Sequence, residues 1–87
     1  MFKLWGKIWK GRHLIQEAVY KEDSEDTRTH KVLRGLENLC YELDLQVPVW
    51  LDSNISEFQR RAKTSFRQDN FIEKIGFDSL EIEIIDE

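Results

Sequence analysis

Two tryptophans and a lysine alternate in the stretch KLWGKIWKG, so that Trp5, Lys7 and Trp9 share one face of any extended strand. Indole rings stack on nucleic-acid bases or fill pockets of a protein partner, and a lysine between them supplies charge for phosphate or carboxylate. A second basic group follows later in the chain and consists of Arg60, Lys63 and Arg67. These six side chains are the candidate binding residues of the chain.

Residues for nucleophilic, acid–base or metal chemistry are few. His13 and His30 are the only histidines, and Cys40 is the only cysteine. The chain has no phosphate-binding loop, no Gly-x-Ser-x-Gly and no His-Glu-x-x-His motif. Cys40 lies among leucines of a helical pattern, which is typical of a buried apolar thiol. A zinc site needs about four ligands, so we expect no metal. Because the motifs of catalysis are also absent, we expect no enzymatic activity, no cofactor and no small-molecule substrate.

The charges are unevenly distributed along a chain whose net charge is −4. Residues 1–16 and 58–67 each contain four basic residues and no acid, whereas the segments 22–26 and 78–87 are rich in acids. The acidic segments have the pattern of solvated loops and strand faces. An acidic chain repels a phosphate backbone, so this balance favours a protein partner over nucleic acid.

The 87 residues predict one folded domain, 1–87, because ten aromatic side chains supply a modest core despite a charged fraction of 34%. A single cysteine forms no internal disulfide. No stretch approaches the roughly 20 apolar residues of a membrane span, and the N-terminus lacks the apolar core of a signal peptide. We therefore expect a cytoplasmic protein with no membrane partner.

A β-hairpin is predicted at the N-terminus, because residues 2–9 alternate with the period of a strand and Gly11 marks a turn. A three-residue loop, 9–11, pairs Ile8 with Arg12, whereas a two-residue loop pairs Ile8 with His13. We prefer the longer loop because it groups more apolar residues on one face, namely Phe2, Leu4, Ile8, Leu14, Ala18 and Tyr20.

Two helices and a final strand follow. Apolar residues recur with helical spacing over 26–44, and a second amphipathic helix is predicted over 55–67, with Arg60, Lys63 and Arg67 on its outer face. A short helical turn begins at Asp69, and SLEIEII has the alternation of a strand. The order β-β-α-α-β predicts an α+β fold in which the hairpin and the C-terminal strand form a three-stranded antiparallel or mixed sheet.

Opposite charges predict the neighbour of the first strand. If Leu80, Ile82 and Ile84 share its core face, Glu81 and Glu83 lie beside Lys3 and Lys7 on the other face. The first strand is then central.

Trp5 and Trp9 lie on the same face of the first strand as Lys3 and Lys7. This face either packs against the second helix in a three-layer core or is exposed to a partner. We expect Trp5 to be the more buried of the two tryptophans.

Four segments, SEDTRTHKV, VWLDSN, DNFIE and FDSLEIEII, give the chain a resemblance to a family of short bacterial proteins with no assigned activity. The similarity extends over most of the chain. It implies a bacterial cytoplasmic setting, and it implies no substrate and no catalytic residue.

The function expected from the residues is that of a small, non-enzymatic protein-interaction module. It would bind a protein partner, or a second copy of itself, through the face of Trp5, Lys7 and Trp9 or through the basic helix. The alternative is a binder of single-stranded nucleic acid or a regulatory DNA- or RNA-binding protein that uses the same residues.

Overall fold

The computed structural model describes all residues, 1–87, as an α+β fold with two helices and a four-stranded antiparallel sheet. In chain order the elements are β1 (Phe2–Lys10), β2 (His13–Glu22), α1 (Arg28–Glu42), α2 (Asp52–Arg61), β3 (Lys63–Phe66), a 3₁₀ turn (Gln68–Asn70) and β4 (Ser79–Asp86). The strands lie in the order β2-β1-β4-β3. As expected, β1 is central and has β2 and β4 as its neighbours.

The expectation of three strands is wrong, because the second helix ends earlier than its apolar spacing indicates. Ala62 adopts a left-handed conformation with φ 56°, and α2 ends at Arg61. A left-handed residue commonly terminates a helix. The chain then reverses into β3, where Phe66 lies opposite Leu80. A spacing of four residues between apolar side chains fits both a helix and a strand, so the pattern alone did not separate them.

Both expected registers of the hairpin are also wrong. Gly11 and Arg12 form the turn, Gly11 with φ 62°, and Lys10 lies opposite His13. The register then shifts by one residue at Ile15, which forms a β-bulge in β2.

The bulge determines which face each residue of β2 occupies. Beyond it Leu4 lies opposite Tyr20 and Gly6 opposite Ala18, so Tyr20 and Ala18 join the apolar face of β1 as expected. Leu14, on the other side of the bulge, lies opposite Trp9 and joins the opposite face. Its expected place in the core is therefore incorrect.

The core lies between one face of the sheet and the two helices. Helix α1 begins after Thr27, whose hydroxyl accepts a hydrogen bond from the His30 amide at 3.2 Å. The expected helix over 26–44 is confirmed within two residues at each end. The buried apolar residues come from every helix and from three of the four strands or their flanking loops: Phe2, Leu4, Ile8, Val32, Leu36, Leu39, Cys40, Leu43, Phe58, Phe66, Phe71, Leu80 and Ile82.

Glycines let α1 approach the sheet closely. A Cβ on Gly35 would lie 2.9 Å from both Leu4 Cδ2 and Tyr20 Cδ2, and one on Gly6 would lie 3.1 Å from Leu39 Cδ1. Real Cβ atoms essentially never come as close as 2.9 Å to such neighbours. The missing side chain of Gly35 therefore sets the distance between α1 and the β1–β2 hairpin.

Two buried asparagines connect the first turn of α2 and the loop before it with β3 and the 3₁₀ turn. Asn54 Nδ2 donates to Thr64 Oγ1 at 2.9 Å and to the Ser65 carbonyl at 3.0 Å. Asn54 Oδ1 accepts from Asn70 Nδ2 at 2.7 Å, and Asn70 Nδ2 also donates to the Val49 carbonyl at 2.8 Å. Asn54 Oδ1 also accepts from the Leu51 amide at 3.1 Å, so the same side chain caps the start of α2 and holds β3 in place.

An exposed ionic cluster joins β2 to α1. Arg34 donates to Glu22 Oε1 at 3.1 Å and to Asp26 Oδ2 at 2.9 Å, and Tyr20 donates its hydroxyl to Glu22 at 2.7 Å. The hydrogen bonds from Arg34, with help from Ser24 and Tyr20, lower the pKa of Glu22 from 4.5 to about 2. Hydrogen bonds from His30, the Thr27 amide and Arg34 lower the pKa of Asp26.

We expect Gly35→Ala to lower the free energy of unfolding by about 1 to 2 kcal/mol, measured by urea denaturation. An alanine in a helix is normally about 1 kcal/mol more favourable than a glycine, but here the methyl group forces α1 away from Leu4 and Tyr20. Asn38→Ala, an exposed substitution in the same helix, is the control and should not destabilise the fold. A Gly35→Ala variant more stable than wild type would contradict the close approach.

We expect the ionic cluster to make stability dependent on acid pH. Because the folded pKa of Glu22 is below its unfolded value, its contribution is fully present above about pH 4.5 and is lost as the pH falls toward about 2. Glu22→Gln should therefore flatten the fall in melting temperature over this range. Glu37→Gln, on the exposed side of α1, is the control, and equal acid profiles for wild type and Glu22→Gln would refute the assignment.

Candidate functional site

One face of the sheet is covered by neither helix, and we call it the open face. Its side chains come from all four strands: Lys3, Trp5, Lys7, Trp9, Leu14, Glu17, Val19, Lys21, Lys63, Ser65, Ser79, Glu81 and Glu83. The buried apolar residues of β1, β3 and β4 lie on the opposite face with both helices. The three-layer arrangement with the second helix over Trp5 is therefore not formed.

Lys7 lies at the centre of the open face and is 7% exposed. Its Nζ lies 3.2 Å from Glu81 Oε1 and 3.2 Å from Glu83 Oε1, on the neighbouring strand β4. The same Nζ lies 3.9 Å from the centre of the Trp5 ring, within the range of a cation–π contact. The expected pairing of Lys7 with these acids is confirmed, and the lysine charge is compensated within the molecule.

Both indole N–H groups of the open face are also occupied. Trp5 Nε1 donates to Glu17 Oε1 on β2 at 2.9 Å, and Trp9 Nε1 donates to Glu81 Oε1 on β4 at 3.1 Å. These bonds fix the orientation of each ring, because an indole has a single hydrogen-bond donor. Each ring is therefore oriented by one hydrogen bond and offers a ligand its apolar surface.

The open face presents apolar area beside carboxylates. Val19 is 39% exposed and Leu14 is 38% exposed, and they lie directly opposite Trp5 and Trp9. Trp5 and Trp9 are both partly exposed. Trp5 is thus partly exposed like Trp9 rather than largely buried, and which of the two is the more buried stays a prediction.

The three basic residues predicted on one helix are not brought together. Arg60 lies on α2 and donates to the Ser56 carbonyl at 3.3 Å. Lys63 belongs to β3, opposite Glu83 on the open face, and Arg67 follows the end of that strand. The basic helix stripe is a wrong prediction, since it assumed that the helix continues through Ala62.

The remaining candidates for chemistry are dispersed. His13 is exposed at the start of β2, and His30 Nδ1 lies 3.0 Å from Asp26. Cys40 is buried in the core, and burial raises the pKa of its thiol to about 11. No three His, Cys, Asp or Glu side chains are grouped so that they could hold a metal ion.

A groove between α1 and α2 has a volume of about 380 Å³. Val32, Leu33, Trp50, Ile55 and Phe58 form its apolar lining. Trp50 packs edge-on against Phe58 and Phe66, and its Nε1 is buried without a hydrogen-bond partner. The sequence gives no signal for this groove, because it depends on how the two helices are placed.

We expect Lys7→Met to lower the free energy of unfolding by about 1 to 3 kcal/mol in urea denaturation, because it leaves two neighbouring carboxylates without a counterion. The loss should be smaller when Glu81→Gln and Glu83→Gln are already present, since the glutamines need no counterion. Lys3→Met, at the end of the same face and without an ion pair, is the control. An equal loss in both backgrounds would contradict a role for the ion pairs.

Neither helix of the molecule has the length and apolar character needed to cross a membrane.

Comparison of the chain with protein-family models, with curated protein sequences and with solved structures finds no match.

Proposed function

We propose that this protein is a non-enzymatic interaction module that binds a protein partner through the open face. The observation that supports it best is the pair of tryptophans on a sheet face that neither helix covers. Tryptophan is the residue most enriched among the anchors of protein interfaces, and a large apolar patch on a small domain marks a contact surface. The rings are already fixed by hydrogen bonds, so binding orders few additional side chains.

The chemistry of the open face defines the partner. Lys7 is almost wholly buried, whereas the side chains of Glu81 and Glu83 are 20% and 32% exposed. A ligand therefore meets indole rings, Val19, Leu14 and the edges of carboxylates. The matching surface is an apolar protein segment that carries an arginine or lysine.

The same arrangement makes nucleic acid the weaker candidate. Binding to phosphate relies on free cations, but Lys7 is neutralised by two glutamates. Arg60 and Arg67 lie on separate elements and form no continuous basic groove with Lys63. A nucleic-acid strand stacked on Trp9 would bring its phosphates close to Glu81, which is unfavourable.

The cellular setting that we propose is the bacterial cytoplasm. The basis is the resemblance of four segments to short bacterial proteins, together with a single, buried and unpaired cysteine.

The test begins with capture of proteins from a nuclease-treated bacterial lysate on the immobilised protein. The captured protein is then purified and titrated against wild type and variants by calorimetry. Trp9→Ala should weaken binding at least about tenfold, because it removes an aromatic anchor of the open face. Leu14→Asp, at an exposed position on the same face, should weaken binding by a similar factor. It replaces Trp9→Ala as the test variant if Trp9→Ala lowers the stability of the fold.

Ile72→Ala is the matched control, because Ile72 is a large apolar side chain that is 84% exposed outside the sheet. Its variant should bind like wild type. A single-stranded oligothymidine should show no saturable binding at physiological salt. Saturable binding of that oligonucleotide, or partner binding that Trp9→Ala and Leu14→Asp leave unchanged, would overturn the proposed function.

A further inference from the structure

The outer edge of β2 is a long row of unpaired backbone groups. β2 spans ten residues, His13–Glu22, and its only hydrogen-bonded neighbour is β1. No turn, loop or side chain of the molecule donates to, or accepts from, the outward N–H and C=O groups of this strand. None of its residues is buried. Such an edge is a template for a further strand.

The other edge of the sheet is protected by contrast. β3 spans four residues, and the Asn54 side chain donates to its Ser65 carbonyl at 3.0 Å. Short edge strands and covering side chains are the usual means by which proteins prevent pairing with another chain. β2 has neither of these over residues 16–22, the part of the strand that lies beyond the bulge at Ile15.

Two copies of β2 have a limited number of ways to pair symmetrically. An antiparallel seam between identical strands has a two-fold axis perpendicular to the sheet, so each residue lies opposite one that points to the same face. The axis must then pass midway between the two copies of one residue, and each choice of that residue gives one register. The side chains of Glu17 and Lys21, both on the open face and both exposed, distinguish these registers.

An axis through Val19 places Glu17 of each copy opposite Lys21 of the other, which gives two opposite-charge pairs. An axis through Glu17 or through Lys21 places like charges opposite each other, and an axis through Ala18 or Tyr20 leaves both charges without a charged partner in the strand. Cross-strand pairs of opposite charge stabilise a sheet, and like charges destabilise it. The charges therefore select the Val19 register.

The side chains on the covered face fit the same register. Tyr20 of one copy lies opposite Ala18 of the other, so a large side chain meets a small one twice. Gln16 lies opposite Glu22, and the amide can donate to the carboxylate. Neither face contains a clash of like charges or of two large side chains.

We propose that β2 is a self-association edge, at which a second copy of this chain pairs antiparallel with its axis at Val19. Seven residues of each strand, 16–22, then form one eight-stranded sheet with both open faces on the same side. Because the seam consists mainly of backbone hydrogen bonds at one edge, it buries less than a standard interface and the dimer should be a weak one. This proposal is independent of the proposed partner, and its test uses only this chain.

Charge reversal tests the register by sedimentation equilibrium at concentrations up to about 1 mM, where a weak dimer is populated. Lys21→Glu should weaken self-association at least about tenfold, because two attractive pairs become repulsive. The variant should fold, since Lys21 lies opposite Lys3 in β1 and the change removes a like-charge pair. The double variant with Glu17→Lys and Lys21→Glu restores both pairs and should restore dimerisation.

Mixing gives a stricter test, with far-UV circular dichroism to verify folding of each variant. Glu17→Lys and Lys21→Glu, each defective alone, should form a heterodimer in which both charge pairs are attractive. If Glu17→Lys does not fold, Val19→Cys supplies the second measurement. Two copies of this cysteine face each other at the axis and should form a disulfide under mild oxidation, whereas the matched His13→Cys should not.

Wild type that sediments as a monomer over the whole concentration range would overturn the proposal. So would self-association that Lys21→Glu leaves unchanged, or equal oxidation of the Val19→Cys and His13→Cys variants. None of these three results depends on Trp9, so failure of this proposal and failure of partner binding at the open face remain distinguishable.

Discussion

Successive side chains of a strand point to opposite sides of its sheet, and this constraint on β1 organises the rest of the molecule. Leu4 and Ile8 must lie on one side, whereas Trp5 and Lys7 must lie on the other. The apolar side receives α1, which approaches closely because Gly35 has no side chain. The other side keeps the indoles and the charges, so the separation of the core from the open face is already present in nine residues.

Local patterns predicted the features that depend on neighbours in sequence. The two-residue period identified β1 and β4, the helical period identified α1, and the charges of Lys7, Glu81 and Glu83 identified β4 as a neighbour of β1. The features that failed depend on single backbone conformations. The left-handed Ala62 creates β3, and the bulge at Ile15 changes the hairpin register.

The candidate site was predictable in part for the same reason. That Trp5, Lys7 and Trp9 share a face follows from the period of the strand alone. The acceptor of the Trp5 indole N–H does not follow from it, because Glu17 comes opposite Lys7 only in the register that the bulge produces. Arg60, Lys63 and Arg67 separate because a helix that ends at residue 61 cannot carry all three on one stripe. The Asn54–Asn70 contact likewise joins segments far apart in sequence.

The distribution of charge on the open face has a physical consequence for any binding there. Lys7 and its two glutamates are paired across β1 and β4, so a partner on the tryptophans does not have to separate a free charge from water. The charges near the outer edge, Glu17 and Lys21, lie where another strand would pair rather than where a ligand would stack. Val19 lies between these two charges and directly opposite Trp5. Pairing through β2 would therefore extend the apolar surface from the Trp5 of one copy to the Trp5 of the other. The combined sheet would then present two equivalent sites. A two-fold symmetric partner that contacts both sites would gain affinity from the second contact.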